Sequence, residues 1–162
     1  MTDEAVLDQV RNLIARSSLA SVDIDELSAR RATAFAEASE TADVDINLQH
    51  RISDEGFGFR MIGSVENESG SVRAAVAISY TYEGEEPTTE VLFTFGNEVA
   101  IMALFPYLRE AISSITSKVF NEPLLLPVLE RGSLTFDIEE KNPDQNLPKA
   151  SAKQRSDRKT VK

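Results

Sequence analysis

The 162-residue chain has no cysteine, no tryptophan and a single histidine, His50. Without cysteine there is no disulfide, no thiol nucleophile and no thiolate zinc site. One imidazole excludes a metal site that takes two histidines from one protomer, and a Ser-His pair survives only if His50 serves it. No unbroken apolar run approaches the roughly 18–20 residues that span a bilayer, and the start of the chain is acidic (Asp3, Glu4) where a secretory leader is basic. A cytoplasmic protein without a transmembrane segment is expected. Gly56-Phe57-Gly58 is a turn and not a phosphate loop, because no Lys-Ser/Thr follows it on a helix. The pairs Asp23/Asp25 and Glu85/Glu86 have no companion groups for acid-base chemistry and are taken as surface charge. No enzyme, cofactor or metal site is expected.

The chain carries 27 acidic and 17 basic side chains, a net charge of −10. The two signs are unevenly placed. Residues 141–162 hold seven Lys or Arg against two Asp, a net +5 that leaves −15 on residues 1–140. An acidic body disfavours non-specific binding to nucleic acid, so no specific nucleic-acid partner is expected of it. With 41% hydrophobic residues the chain can build one ordinary core. From Glu139 onward there is no aromatic residue, and Leu147 and Val161 are the larger aliphatics. The expected division is a folded domain over 1–138 and a disordered basic tail over 139–162.

Apolar spacing predicts the elements. Val6, Leu7, Val10, Leu13 and Ile14 recur at helical intervals over residues 3–16, with Thr2 or Asp3 available as cap. Val44, Ile46, Leu48, His50 and Ile52 alternate with polar residues, the mark of a strand with one buried face, on which His50 is expected to be partly buried. Asp54-Glu55-Gly56 turns the chain into a second strand through Phe57, Phe59, Met61 and Val65. A third strand runs through Val72, Ala74, Val76, Ile78, Tyr80 and Tyr82. Pro87-Thr88-Thr89-Glu90 resembles a helix start with Thr88 or Thr89 as cap, although Val91–Phe95 also has strand character. Asn97 then suits the cap of a long helix to about Val119, in which Ile101, Leu104, Leu108, Ile112, Ile115 and Val119 share a face. Val99, Met102 and Phe105 widen that apolar arc, so the helix needs its own sheet on one side and a partner protomer on another. Pro106 is expected to kink or restart it.

The helical segment Ala103-Leu104-Phe105-Pro106-Tyr107-Leu108-Arg109-Glu110-Ala111-Ile112, followed thirteen residues after Glu110 by Pro123-Leu124-Leu125-Leu126-Pro127, resembles the signature of the SecB family of export chaperones. The resemblance is strongest over residues 97–127 and weaker over 19–83. It implies an α+β fold: a four-stranded antiparallel sheet backed by a long helix in the C-terminal half, with a short N-terminal helix and a disordered tail. On the resemblance alone, the Ala- and Arg-rich stretch from Leu19 is taken as a long first strand. The family implies an ATP-independent holdase, assembled as a dimer of dimers, that binds unfolded or nascent polypeptides. Its partners are the SecA-type export motor or, in a divergent branch, the antitoxin of a toxin-antitoxin pair.

By the same resemblance Phe105, Pro106, Tyr107, Arg109 and Glu110 match the family's helix motif. Together with Ile101, Leu104, Leu108, Ile112 and Ile115 they are assigned to architecture and the oligomer interface. Leu124, Leu125 and Leu126 match its apolar crossover and are candidates for client contact, joined on physical grounds by Phe57, Phe59, Tyr80, Tyr82 and Phe120. Most such side chains in a small domain are simply core; the loop-borne Phe120 and the leucines are the expected exceptions. The basic tail departs from the acidic tail typical of the export chaperones, and residues 3–16 look more like the toxin-antitoxin branch. The rival reading is a small oligomeric adaptor whose basic tail binds nucleic acid or an anionic membrane surface.

Overall fold

The computed structural model describes residues 3–33, 43–130 and 132–136. Its elements are α1 (Asp3–Ala15), β1 (Ser17–Arg31), β2 (Asp43–Ser53), β3 (Gly56–Asn67), β4 (Gly70–Tyr82), α2 (Thr89–Phe95) and α3 (Ile101–Val119). A wide π turn, Gly96–Ala100, joins α2 to α3. The four strands form one antiparallel sheet in the order β1-β4-β3-β2, and the helices pack on one face of it, which is the α+β architecture expected. The expected tail, 139–162, lies outside the described residues.

Register explains which side chains meet the helices. Directly opposed residues of an antiparallel pair share a face. Phe57, Phe59, Met61 and Val65 of β3 oppose Tyr80, Ile78, Val76 and Val72 of β4, and all but Tyr80 are buried. β2 pairs in the register its alternation predicts, with Val44, Ile46, Leu48, His50 and Ile52 opposite Val65, Gly63, Met61, Phe59 and Phe57. It is nevertheless an edge strand, and His50 is exposed where partial burial was expected. β1 is long, as the resemblance implied, but two register shifts put an extra residue at Ala20 and another at Asp25. These bulges carry Leu19, Val22, Ile24, Leu27 and Ala29 onto the helix face, opposite Tyr80, Ile78, Val76, Ala74 and Val72.

Residues 89–96 are helical, with Thr88 extended before them. Thr88 caps α2 by accepting the Val91 amide on its hydroxyl (3.3 Å), and Val91, Leu92 and Phe95 are buried. Asn97 does not cap α3, because the helical path runs without a break from α2: the Gly96 amide bonds back to Leu92 and Phe93, and that of Ile101 to Gly96. Nor does α3 restart at Pro106. It continues through the proline for 19 residues, and the departure from α geometry falls earlier, at Gly96–Ala100. Pro106 and Met102, whose carbonyl loses its partner, both lie on the exposed side of the helix, where the lost bond is cheapest. The stretch Thr89–Val119 is long and apolar enough to cross a membrane by composition alone. Leu104, Leu108 and Ile112 have no exposed surface, which marks it as the core helix.

Two close approaches set that helix on the sheet. A Cβ on Gly63 would lie 3.0 Å from Leu108 Cδ2 and 3.3 Å from Ile112 Cδ1, and one on Gly96 would lie 3.0 Å from the Phe59 ring. Around the second contact Phe95 stacks on Phe59 at 5.8 Å between centroids and meets Phe57 and Tyr80 edge-on at 5.2 and 5.3 Å. Gly63→Val should therefore lower stability by about 1–3 kcal/mol through overpacking. Urea unfolding checks this, and a midpoint equal to that of the unsubstituted protein contradicts it.

Candidate functional site

The helix layer does not cover the whole apolar face of the sheet. On the edge strand β1, Leu19, Ile24 and Leu27 are exposed although they belong to the row facing the helices. Met102 and Tyr107 are exposed on α3. After α3, Leu125 (64%) and Val128 (74%) are the most exposed large apolar side chains among the described residues. A surface of this kind calls for something to cover it.

Leu125 and Val128 belong to a strap that leaves α3 through Phe120 and turns at Asn121, whose φ is 62°. The strap has neither helix nor strand. Polar side chains pin it near both ends. Thr116, fully buried, donates its hydroxyl to the Ile112 carbonyl (2.7 Å) and accepts the Leu124 amide (2.8 Å). Asn97 accepts the Phe136 amide on Oδ1 (2.9 Å) and donates from Nδ2 to the Phe136 carbonyl (3.1 Å). Thr116 lies near the end of α3 and Asn97 before its start, so the strap runs back along the helix. That axial path is about 28 Å at 1.5 Å per residue, within reach of twelve residues of extended chain, which span up to ~40 Å. Leu124, Leu126, Leu129, Leu134 and Phe136 point inward onto the core.

The opposite face of the sheet is polar. Arg60 Nε pairs with Asp25 at 2.9 Å and Arg73 Nε with Glu26 at 3.0 Å. Two hollows of about 410 and 220 Å³ lie there, between such residues as Ser64, Asp45 and Arg73, and Asp25, Gln49 and Arg60. Their ion pairs are partly exposed and contribute little to stability. Among the described residues no group of three His, Asp or Glu is placed to hold a metal ion. Among the described residues the apolar side is thus the one that leaves several large hydrophobic side chains exposed.

No protein-family model matches the chain. It is 27% identical over 133 residues to the SecB-like chaperone SmegB of Mycolicibacterium smegmatis, covering 78% of this chain and 85% of that one. Its fold overlays that of the Rv1957 SecB-like chaperone of Mycobacterium tuberculosis with a TM-score of 0.64, at 20% identity, over 76% of this chain and 98% of the other. The chain is thus similar in sequence to one SecB-like chaperone and in fold to another. The solved relative was captured in complex with a ChAD peptide from the Rv1956 HigA1 antitoxin.

Within the SecB-like fold the candidate residues separate by burial. Phe57 and Phe59 are interior, held in the ring cluster with Phe95, while Tyr80 and Tyr82 are half-buried at its margin. Phe120, expected to be exposed on its loop, is buried, and its amide closes the last turn of α3 on the Thr116 carbonyl (2.7 Å). The leucine run splits: Leu126 is buried, Leu124 half-buried and Leu125 exposed, the alternation of an extended segment lying on a core. In the helix motif Ile101, Leu104, Phe105, Leu108 and Ile112 are buried within the protomer, and Ile115 and Arg109 are intermediate. Pro106, Tyr107 and Glu110 face outward. Thr116 and the true role of Asn97 escaped the sequence. A threonine inside an apolar helix gives no hint of a partner eight residues on, and an asparagine before an apolar periodic run has the signature of a cap.

Thr116→Val should lower stability by about 1–3 kcal/mol, since it leaves the Leu124 amide without an acceptor, whereas Thr116→Ser should restore most of the loss. Thermal unfolding of both variants checks this, and equal losses contradict it. Burial pushes the Tyr80 phenol above its ordinary range near pH ~10. The unfolded chain therefore gives up that proton first, and folding stability contributed by the neutral phenol is lost as pH rises above about 10. Tyr80→Phe should flatten that alkaline decline in unfolding midpoints measured between pH ~9 and ~11; an unchanged decline contradicts it.

Proposed function

We propose that this SecB-like protein is an ATP-independent holdase chaperone that binds exposed apolar segments of non-native polypeptides, with an antitoxin as the physiological client. The observation that carries the reading is the SecB-like fold shared with a chaperone solved while holding an antitoxin peptide. The apolar side chains left exposed on β1 and the strap supply the chemistry, for they offer contact to apolar side chains without selecting a sequence. The reading requires no nucleotide, catalytic group or cofactor, and a cytoplasmic setting suits it. A SecA-type motor as recipient of the client has less support, because the tail is basic where the export chaperones are acidic.

Assembly belongs to the same proposal. With the buried half of the helix motif committed to the protomer core, Met102, Pro106, Tyr107 and Glu110 are left on α3 to meet another copy. A helix with apolar surface on a second side fits a dimer of dimers. A stable monomer in a solution mass measurement overturns this assembly.

The direct test is aggregation of a chemically unfolded client protein, followed by light scattering without nucleotide. The protein should suppress it at near-stoichiometric amounts, and failure with several clients sinks the holdase reading. Leu125→Asp combined with Val128→Asp should weaken suppression several-fold. Both side chains are exposed, so stability should stay within about 0.5 kcal/mol per site.

A further inference from the structure

We propose that Asn97, with the core surface beneath Leu134 and Phe136, is a binding site for extended polypeptide main chain, and that the protein's own strap fills this site at rest. The proposal rests on the chaperone reading and adds to it a place of contact and a built-in competitor. In an antiparallel ladder one residue gives its N–H to a partner and takes the partner's N–H on its carbonyl. Asn97 reproduces that exchange with a side chain: its Oδ1 takes the Phe136 amide and its Nδ2 gives to the Phe136 carbonyl. Such a contact reads backbone and ignores side-chain identity. It suits an occupant of any sequence.

The present occupant has the form of a client. Leu134 and Phe136 turn inward onto the core while Thr135 between them is exposed, the alternation of an extended segment on an apolar floor. Its hold is slight. Among the described residues, this limb keeps, beyond the half-buried Leu134 and Phe136, the Asn97 pair and a local turn in which the Ser133 amide (3.0 Å) and hydroxyl (2.6 Å) both donate to the Glu130 carbonyl. The other end of the strap is anchored by buried Leu126 and by Thr116, and the exposed Pro127 and Val128 lie between. The limb carrying Phe136 can therefore leave while the Thr116 end stays. Because the limb is joined to its site by a short tether, it competes at high effective concentration and lowers apparent affinity by the fraction of time the site is closed.

The test uses the full-length protein and a fluorescent peptide of about ten residues, alternating apolar with polar. Leu134→Ala with Phe136→Ala should tighten peptide binding about tenfold, because truncating two half-buried apolar side chains removes the limb's apolar hold while leaving its main chain intact. Adding Asn97→Ala should cancel most of that gain. Binding unchanged or weakened by the double substitution overturns the competitor, and a gain that survives Asn97→Ala overturns the site. In the unsubstituted protein, exchange of the Phe136 amide should quicken when peptide is saturating, and unchanged protection overturns displacement. If no variant binds peptide and none holds an unfolded client, the chaperone reading itself falls. If clients are held equally by all variants, only the present inference does.

Discussion

Leu108 and Ile112 sit directly on Gly63, with no side chain of the strand between them, and the height of the long helix above the sheet follows from that contact. The remaining apolar architecture is referenced to it. At its start, the π turn brings Gly96 onto the Phe59 ring and stacks Phe95 on the same ring, so α2 is fixed by the placement of α3. At its end, Thr116 holds the Leu124 amide from a fully buried position. A helix displaced outward would lose dispersion along its whole buried face and open contacts at both ends, because packed interiors do not deform gradually.

The two faces of the sheet divide the chemistry. On the open face the bulge at Asp25 sets two acids side by side, and Arg60 and Arg73 reach across from β3 and β4 to meet them. On the helix face the same bulge keeps Ile24 and Leu27 in the apolar row although β1 is an edge. An edge strand with exposed Leu19, Ile24 and Leu27 invites pairing with another chain. Bulges and flanking charge are the usual restraints on such an edge, and β1 has both. The protein thus presents apolar surface on an irregular strand, a compromise between contact with other chains and uncontrolled self-association.

How much of this could be read from the residues depends on whether each signal was local. The β2-β3 hairpin was legible, since alternation marks both strands and Asp54-Glu55-Gly56 marks the turn between them. β1 was not, because its helix-face residues fall at intervals of three, two, three and two, a rhythm between strand and helix that the bulges at Ala20 and Asp25 create. The resemblance to a family supplied what periodicity could not. His50 and Phe120 were misjudged in opposite directions for one reason: burial depends on what lies over a residue. β2 is an edge, so the apolar side of its alternation remains half open at His50, while Phe120, at the end of α3, is buried although it begins a loop. The helix does not restart at Pro106, because a proline on an exposed helical side gives up a bond at small cost. The fold was therefore legible before the site was.

The two pins of the strap differ in kind, and the difference gives the site a direction. Thr116 has no exposed surface, so breaking its bond to Leu124 would leave the buried Oγ1 without that donor, at about 1–3 kcal/mol. Asn97 is only partly buried, and the groups it releases can be rehydrated, so its two bonds cost far less to exchange. A chain competing for the core surface therefore meets least resistance at the Phe136 end and most at Leu124. Displacement that begins at one end and stops at a buried pin keeps the crossover leucines in place. On the proposed displacement Leu125 and Val128 stay beside the admitted chain, and the buried Leu126 between them stays on the core.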